Sequence, residues 1–386
     1  MRKVQNRIKF PLQMGTMSDK PDSEENVPPL MNHDGNPISA SVLIPTINNG
    51  EELGKVLDCL SKQTYPHFEV YCIDSKSKDN TKEIIQKYGA IWIDDDSRNR
   101  ADACNYGIKK IDTDVILFTD DDTLPPTNWV ESLLRWFSKE EVGGVGGPNF
   151  APTDSPFGGK IADVAFCAKW VTAGTRYGKS PQGELIEIDH NPGCNSAYRT
   201  NILKEIGGFE EGCIGAEDVV LDKKITNAGY RLWFDPTAIM PHRRRKPITP
   251  YMKQLRNYGY VRTLANSRWP ALKSWSHIMI GLFPLLATIG ALAVISNQFV
   301  ENDFLNLISN ISSGLIAFYI FICLFGGALG SSPHRNFSTV LMAPLMVFLA
   351  HWSYGSGVVR GWMQIYIGEG AAAGLGIQID DKKRTV

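Results

Sequence analysis

The sequence predicts an α/β domain built on a mainly parallel, doubly wound sheet, followed by an α-helical membrane region. Two observations predict this order. Between residues 40 and 119, short β-branched apolar runs alternate with segments of helical spacing, which is the pattern of strands joined by crossover helices. After residue 275 the composition changes, and three long apolar stretches follow one another. The chain of 386 residues has room for both parts.

The soluble part is expected at residues 39–248, after a flexible leader at residues 1–38 that is rich in polar residues and proline. Its first strands are predicted at residues 40–45, 68–74, 90–93 and 115–119. Helices are predicted between them at residues 51–63, 79–88 and 102–110.

The polar residues that end these strands should converge, because the carboxyl ends of parallel strands meet at one edge of the sheet. They are Pro45 and Thr46, then Asp74, then the acidic triplet Asp120 to Asp122. A nucleotide would occupy that edge.

The acidic triplet is the most informative of these strand ends. Three adjacent carboxylates repel one another, and a divalent cation would relieve the repulsion and could bridge to a phosphate. The alternative is a solvated acidic turn, or an N-cap for a helix that starts near Pro125. No GxGxxG motif follows any predicted strand, and the run GGVGG at residues 143–147 lacks the Lys-Ser/Thr of a phosphate loop. That run is therefore predicted to serve backbone packing.

Charge and cysteine content exclude other classes. The net charge is -1, so the whole chain is not an electrostatic nucleic-acid binder, and no nucleic-acid partner is expected. The seven cysteines form no CxxC pair, which favours buried thiols in a reducing compartment.

The apolar stretches at about residues 277–295, 311–330 and 338–359 predict three transmembrane helices, since about 20 residues cross the hydrocarbon layer. Basic residues between residues 242 and 273 precede the first stretch, so the soluble domain should be cytoplasmic in a multi-pass protein of the cell membrane. The basic tail at residues 361–386 conflicts with three complete crossings. Whether the third stretch spans fully stays open at this point.

Four segments carry a resemblance to a known family. They are SVLIPTIN with QTYP and Asp74, then TDDDTLPP, then NPGCNSAYRTNILKEIGGFEE, and last GAEDVVLDKKITNAGYRLWFDP. In this order they resemble family-2 glycosyltransferases with the GT-A fold, over about residues 41–246. The resemblance implies a nucleotide-diphospho-sugar transferase fold with a mostly parallel, Rossmann-like sheet. One departure is Ser75, where the family often has a second acid that helps to bind the nucleobase.

The resemblance implies the chemistry of several residues. Asp120 and Asp122 match the family's DxD motif and would hold Mg²⁺ or Mn²⁺, and His242 could complete the metal shell. Asp218 is the candidate general base, and Glu217 would orient it or share its proton. The alternative for Glu217 and Asp218 is that they supply favourable negative charge at a helix N-terminus.

Donor binding is assigned to the strand ends, the triplet and several basic residues. The residues are Pro45, Thr46, Asp74, Arg100, Asp120, Asp121, Asn195, Arg243 and Arg244. The neighbouring Arg98 is a further candidate. The basic cluster that begins at Arg243 has a second interpretation, in which it only fixes membrane topology, and the two roles are compatible.

Residues 249–274 are basic and aromatic, and they predict an amphipathic helix at the membrane interface. Gln254, Arg256, Tyr258 and Arg262 lie in it and resemble the Q-x-R-x-x-G juncture of membrane-attached family-2 enzymes. The resemblance assigns them to the acceptor or the interface, while a plain anchor helix is the alternative.

Together these observations predict a membrane-bound, inverting glycosyltransferase, of hexosyltransferase type. It would move a sugar from a nucleotide-sugar donor to a lipid-linked acceptor, either a polyprenyl phosphate or a lipid-linked glycan. The alternatives are a processive polysaccharide synthase and a non-catalytic nucleotide-sugar-binding subunit. The missing Trp after Gln254 and Arg256 and the small number of spans disfavour the synthase.

Overall fold

The computed structural model describes residues 30–32, 35–97, 99–168, 185–211, 213, 216–242, 248–268, 275–300, 302–330 and 332–367. An α/β domain comes first and a group of long helices follows, as predicted. The strands are β1 (Ala40–Thr46), β2 (Phe68–Asp74), β3 (Ile91–Asp94), β4 (Val115–Phe118), β5 (Val142–Gly146), β6 (Asn149–Phe150), β7 (Ile186–Glu187), β8 (Ser196–Arg199), β9 (Arg231–Phe234) and β10 (Met240–Pro241). The helices of the domain are α1 (Gly50–Leu60), α2 (Thr81–Lys87), α3 (Arg100–Ile108), α4 (Trp129–Leu134), α5 (Phe157–Phe166), α6 (Thr200–Glu205) and α7 (Glu217–Asn227).

Eight strands form the central sheet in the order β3-β2-β1-β4-β8-β5-β9-β7. The first four are parallel to one another, as the alternation of strands and helices predicted. The strand β8 enters antiparallel between β4 and β5, and β9 is again parallel to β5. The carboxyl ends of β1, β2 and β4 therefore lie at one edge of the sheet, where the predicted site residues collect.

Both faces of this sheet are buried, which explains the continuous apolar runs of the strands. Val42 and Leu117 pack on one side with Trp129, while Leu43 and Ile116 pack on the other. Neighbouring residues of one strand thus supply two separate cores.

The glycine run at residues 143–147 forms most of β5 rather than preceding a strand. An added Cβ at Gly144 would overlap the ring of Tyr198, and one at Gly146 would overlap the side chain of Asn191. The predicted role in backbone packing is confirmed, because these close approaches leave no space for a side chain.

The second part of the chain consists of α8 (Ile248–Arg268), α9 (Trp275–Ser296), α10 (Asp303–Leu329) and α11 (Phe337–Tyr366). The last three of these helices are long and apolar enough to cross a membrane. They cover the three predicted stretches except for residue 330, the C-cap of α10. The helix α10 begins before residue 311, and α11 continues beyond residue 359. The helix α8 covers the segment predicted at residues 249–274 up to Arg268.

The helices α8 and α11 pack closely along their length because glycines remove side chains from the contact. An added Cβ at Gly259 of α8 would overlap the Tyr354 carbonyl oxygen, and one at Gly357 of α11 would overlap the Arg256 carbonyl oxygen. The helix α5 of the soluble domain joins the same group, since Ile161 and Ala165 are buried in one cluster with Met346. The soluble domain is thus mounted on the long helices through α5 and α8.

The glycine contact generates a prediction. We expect Gly357→Ala to destabilise the helical region by about 1–3 kcal/mol, because the new methyl group must push α8 away from α11. The measurement is the thermal unfolding midpoint of the purified protein in detergent. Gly314→Ala in α10 is the matched control, since an added Cβ there meets nothing within 4 Å. Equal midpoints for the two variants would contradict the packing argument.

Candidate active site

The acidic triplet and His242 meet although they are far apart in sequence. The residue after β10 is His242, and it forms an isolated bridge with Thr123, directly after the triplet. The Leu124 amide donates to the Pro241 carbonyl oxygen at 2.8 Å. These backbone contacts place His242 Nε2 3.1 Å from Asp122 Oδ1.

Asp120, Asp122 and His242 fit a metal ion in both distance and chemistry. One potential ligand atom from each residue lies within 4.8 Å of the other two, and each of the three residues is half-buried. Two carboxylates and an imidazole form a donor set that Mn²⁺ accepts, and the carboxylates also suit Mg²⁺. The structure thus brings together the three residues that the sequence assigned to a metal.

The ring of His242 is held from its other side. Its Nδ1 lies 3.8 Å from Cys194 Sγ, and the Asn149 amide group donates to the same sulfur at 3.0 Å. Burial lowers the pKa of His242, but the proximity of Cys194 and Asp122 outweighs burial and raises that pKa well above its usual value. A cation at Nε2 must therefore compete with a proton, so metal binding should weaken as the pH falls.

Asp121 turns away from this group and ties the triplet to the end of β1. Its Oδ2 accepts a hydrogen bond from Thr46 Oγ1 at 2.7 Å. Burial raises the pKa of Asp121 to about 6, despite the hydrogen bonds from Thr46 and Asn49. Thr46 and Asp121 were both assigned to donor binding, and the structure shows that each positions the other.

The helix α7 lies on the opposite side of the site and begins with the ED pair, Glu217 and Asp218. Asp218 Oδ2 accepts from the Gly193 amide at 3.3 Å and lies 3.7 Å from His190 Nε2. The residue before α7, Ala216, has a φ of +56°, in the left-handed region. This turn directs the helix N-terminus, with Glu217 and Asp218, toward the carboxyl edge of the sheet.

Arg100 connects the two acidic groups. Its Nε lies 3.2 Å from Asp120 Oδ1, and another nitrogen lies 3.7 Å from Glu217 Oε1. The same guanidinium donates to the Gly193 carbonyl oxygen at 2.7 Å. Arg100 was predicted to contact the donor, and here it screens the repulsion between Asp120 and Glu217.

Glu217 is the less accessible member of the ED pair. Burial raises its pKa to about 7, with a further contribution from the charge of Asp218 and an opposing one from Arg100. At neutral pH this carboxyl group therefore carries a proton for a substantial part of the time, which reduces the negative charge beside Asp218.

Sequence reasoning missed a buried group behind Asp218. Asp222 is fully buried and accepts from the Asn191 amide at 2.6 Å and from the Tyr198 hydroxyl at 2.8 Å. Its Oδ2 also lies 2.8 Å from His190 Nδ1, so Nε2 of that ring faces Asp218. The available signal was the spacing of four residues between Asp218 and Asp222, which puts both on one helix face.

Two residues assigned to donor binding have hydrogen-bond partners within the domain. Asp74 is buried, with one oxygen accepting from Trp92 Nε1 and the other from the Ser77 amide, both at 3.0 Å. Asn195 is fully buried, and its amide group contacts Trp129 and the carbonyl oxygens of residues 148 and 238. These contacts do not support a side-chain contact of Asn195 with a donor, and its assignment stays a prediction.

The remaining residues assigned to donor binding are either half-buried beside the site or outside the residues that the structure describes. Pro45 is half-buried in β1, next to Thr46. Arg98, Arg243 and Arg244 lie outside the residues that the structure describes, so their phosphate contacts stay predictions.

The acceptor residues assigned by sequence lie on α8. Gln254, Tyr258 and Arg262 are spaced by four residues and form one row, in which Gln254 Nε2 donates to the Tyr258 hydroxyl at 2.8 Å. Arg256 is exposed and, being two residues out of step, belongs to another side of the helix. The C-terminal part of α8 reaches the ED helix, because Ala265 packs against Val220.

Comparisons with known proteins bear on this arrangement. The family profile described as "Glycosyl transferase family 2" matches residues 41–207. Glycosyltransferase AglE of Haloferax volcanii is 30% identical over 228 residues, which cover 56% of this chain and 69% of that protein. The chain belongs to glycosyltransferase family 2. Its sheet with a DxD loop and an ED helix is a GT-A fold.

A further relative extends beyond the soluble domain. A dolichyl N-acetyl-alpha-D-glucosaminyl phosphate 3-beta-D-2,3-diacetamido-2,3-dideoxy-beta-D-glucuronosyltransferase of Methanococcus voltae is 22% identical over 340 residues, which cover 83% of this chain and 97% of that protein. Other relatives are matched less fully. Across three of them with 28–30% identity, the chain spans 53–69% of their own length.

A solved structure shares the fold of this family-2 chain. It is the mannosyltransferase PcManGT from Pyrobaculum calidifontis in complex with GDP-Man and Mn²⁺. It has a TM-score of 0.55 at 18% identity, and the match covers 84% of this chain and 87% of that one.

The metal group generates a prediction. We expect His242→Ala and Asp122→Ala each to weaken Mn²⁺ binding by at least about tenfold, because each removes one of three ligands. The measurement is the dissociation constant of Mn²⁺ for the purified protein, from the electron paramagnetic resonance signal of free Mn²⁺. Asp112→Asn is the control, because this carboxylate is 93% exposed and lies just before β4, away from the carboxyl edge. Unchanged affinity in His242→Ala would remove this residue from the metal site.

The raised pKa of Glu217 generates a second prediction for this site. A buried acid whose pKa rises from 4.5 to about 7 on folding binds extra protons in the folded state, so its contribution to stability falls as pH rises through that window. We expect Glu217→Gln to be more stable than the parent above pH 7, by about 1–3 kcal/mol, and to flatten the pH dependence. Thermal midpoints at about pH 5 and about pH 8 measure this. Glu211 is exposed, so Glu211→Gln should leave the pH dependence of the thermal midpoint unchanged. If Glu217→Gln shows the same pH dependence as the parent protein, the burial argument is wrong.

Proposed function

We propose that the protein is a membrane-bound, metal-dependent, inverting glycosyltransferase. It transfers a sugar, of hexose type, from a nucleotide-diphospho-sugar to a lipid-linked acceptor at the cytoplasmic face of the membrane. The observation that carries the proposal is the meeting of Asp120, Asp122 and His242 with Asp218 at the carboxyl edge of the sheet, beside α8. A cation site and a candidate base then lie at one edge of the sheet, near the helix that leads to the apolar spans.

Electrostatics support a donor held through a cation. Asp120, Asp122 and Asp218 alone would repel a diphosphate. The cationic side chains described among them already have acidic partners, since Arg100 contacts Asp120 and Glu217, and His242 contacts Asp122. Asp120, Asp122 and His242 would hold a divalent ion, which when bound would supply Lewis acidity to the leaving diphosphate. The imidazole in the donor set favours Mn²⁺ over Mg²⁺, which prefers oxygen ligands.

The chain's own residues supply the proton transfer. Asp218 takes the proton of the acceptor hydroxyl as that oxygen attacks the anomeric carbon, in a single displacement that inverts its configuration. The Gly193 amide and His190 orient the carboxylate, and the buried Asp222 fixes the ring of His190. Burial and the charge of Asp218 raise the pKa of Glu217 to about 7, so Glu217 can hold a proton beside Asp218.

A lipid-linked acceptor is supported by the position of α8 and by the printed name of one relative. The row Gln254, Tyr258 and Arg262 runs along a helix whose C-terminal part packs against α7. The Methanococcus voltae relative, matched over 97% of its length, is named for transfer to a dolichyl-linked sugar phosphate. The cytoplasmic orientation rests on the basic residues before α9 and on Arg335 in the loop between α10 and α11.

The proposal predicts the outcome of a transfer assay. Full-length protein in lipid nanodiscs receives Mn²⁺, a panel of UDP-, GDP- and dTDP-sugars, and either polyprenyl phosphate or a polyprenyl-diphosphate-linked sugar. We expect lipid-linked product by mass spectrometry, and none after chelation. Asp218→Asn should lower kcat about 10²–10⁴-fold with the sugar-hydroxyl acceptor.

The acceptor chemistry and a matched variant serve as controls. A phosphate acceptor is already ionised and needs no base, so Asp218→Asn should reduce that reaction much less. Asp112→Asn should keep full activity, because Asp112 is exposed before β4. Full activity of Asp218→Asn toward a hydroxyl acceptor would overturn the assignment of the base. Transfer to lipid-free sugars at the rate seen with lipid-linked sugars would overturn the assignment of the acceptor.

A further inference from the structure

The loop between α10 and α11 is bonded to the soluble domain through buried polar contacts. Ser332 Oγ donates to Asp163 Oδ2 of α5 at 2.9 Å, and His334 Nε2 lies 2.6 Å from the Ala151 carbonyl oxygen. A carbonyl oxygen only accepts, so this ring nitrogen carries the hydrogen. Asp163 Oδ1 also accepts from the Ala151 amide at 3.0 Å. Both backbone groups of Ala151 are thereby fixed by one cluster.

This cluster is well protected from water. Asp163 is fully buried, and Ala151, Ser332 and His334 are between 4% and 8% exposed. Buried hydrogen bonds of this kind are costly to break, because the partner that remains has no water to replace the lost contact. The cluster is therefore a rigid connection.

The loop is also fixed to its own helices. Thr339 Oγ1 donates to the His334 carbonyl oxygen at 2.9 Å, and Asn336 and Thr339 form a capping box at the start of α11. At the end of α10, an added Cβ on Gly330 would meet the Cys167 carbonyl oxygen at 2.5 Å, so the loop approaches the end of α5 closely. Movement of this helical hairpin would be transmitted to Ala151.

Ala151 directly follows β6, and β6 pairs with β10, the strand directly before His242. The Phe150 carbonyl oxygen of β6 accepts from the His242 amide, and the Pro148 carbonyl oxygen accepts from the Met240 amide, both at 2.8 Å. Among the residues that the structure describes, β6 and β10 pair over two residues each. Two residues of pairing cannot fix their own position, so β6 depends on what holds its ends.

We propose that Ser332 and His334 are positioning residues for His242, so that the α10–α11 hairpin contributes to the affinity of the metal site. The connection runs from the loop to Ala151, through β6 to β10, and ends at the imidazole beside Asp122. This inference rests on the proposed function only in requiring that Asp120, Asp122 and His242 bind a cation. It adds that the long helices take part in building that site as well as anchoring it.

The test measures Mn²⁺ binding directly, without donor or acceptor. Full-length protein in nanodiscs is titrated with Mn²⁺, and free Mn²⁺ is read by electron paramagnetic resonance. We expect Ser332→Ala and His334→Leu to weaken binding by about 10-fold or more, as for outer-shell partners of metal ligands. Ser332→Thr and His334→Gln keep a hydroxyl and an N–H donor, and they should stay within about 3-fold of the parent.

A matched control separates positioning from general stability. Asn302→Ala removes the N-cap of α10, where Asn302 accepts from the Leu305 amide at 3.1 Å, at the end of that helix remote from the loop. It should lower the thermal midpoint and leave the Mn²⁺ affinity unchanged. Hydrogen exchange should accelerate at residues 148–151 and 240–242 in Ser332→Ala and stay at the parent rate in Asn302→Ala.

The outcomes distinguish the two hypotheses. If folded Ser332→Ala and His334→Leu bind Mn²⁺ as tightly as the parent protein does, the positioning role is wrong and the proposed function is left intact. Parent protein that binds no Mn²⁺ would overturn the metal assignment and this inference together. If His334→Leu does not fold, Ser332→Ala gives the deciding measurement, because it removes a single hydroxyl group.

Discussion

The concentration of carboxylates at the carboxyl edge of the sheet is the constraint on which the site depends. Asp120, Asp121 and Asp122 arrive from β4, and Glu217 and Asp218 arrive from α7. The fold manages their repulsion in three ways. Arg100 lies between the two groups, Asp121 and Glu217 have raised pKa values, and His242 faces Asp122. What remains is a negative site at which Asp120, Asp122 and His242 lie close enough to share a cation, and a bound cation would offset the repulsion of an anionic donor.

The local elements of the fold were predictable because each has a signature within a short window. The strands β1, β2 and β4 are runs of apolar residues ended by polar ones, and the acidic triplet lies at such an end, whereas the ED pair begins a helix. Their convergence followed from one rule about parallel strands. The metal group including His242 was also found, although for His242 only the family resemblance and its basic neighbours pointed to it.

The missed features depend on contacts between distant segments. Nothing in the sequence around Cys194 shows that its sulfur faces the ring of His242, and nothing around Asp163 shows that it binds Ser332. The donor-binding role of Asn195 stays a prediction, but the burial of its amide group among three distant segments was also hidden. Antiparallel β8 was equally hidden, since a four-residue strand of mixed polarity carries little pattern of its own.

The soluble domain is joined to the long helices by packed surfaces. Three contacts fix the site at one height relative to the apolar spans. They are the packing of α5, the glycine contact of α8 with α11 and the buried cluster at Ala151. These contacts therefore set a fixed distance between the site and the apolar spans. For the lipid-linked acceptor proposed above, the attacking oxygen would have to stand at that height in a bilayer, so the length of the head group between lipid and oxygen would become a selection criterion before any sugar is recognised.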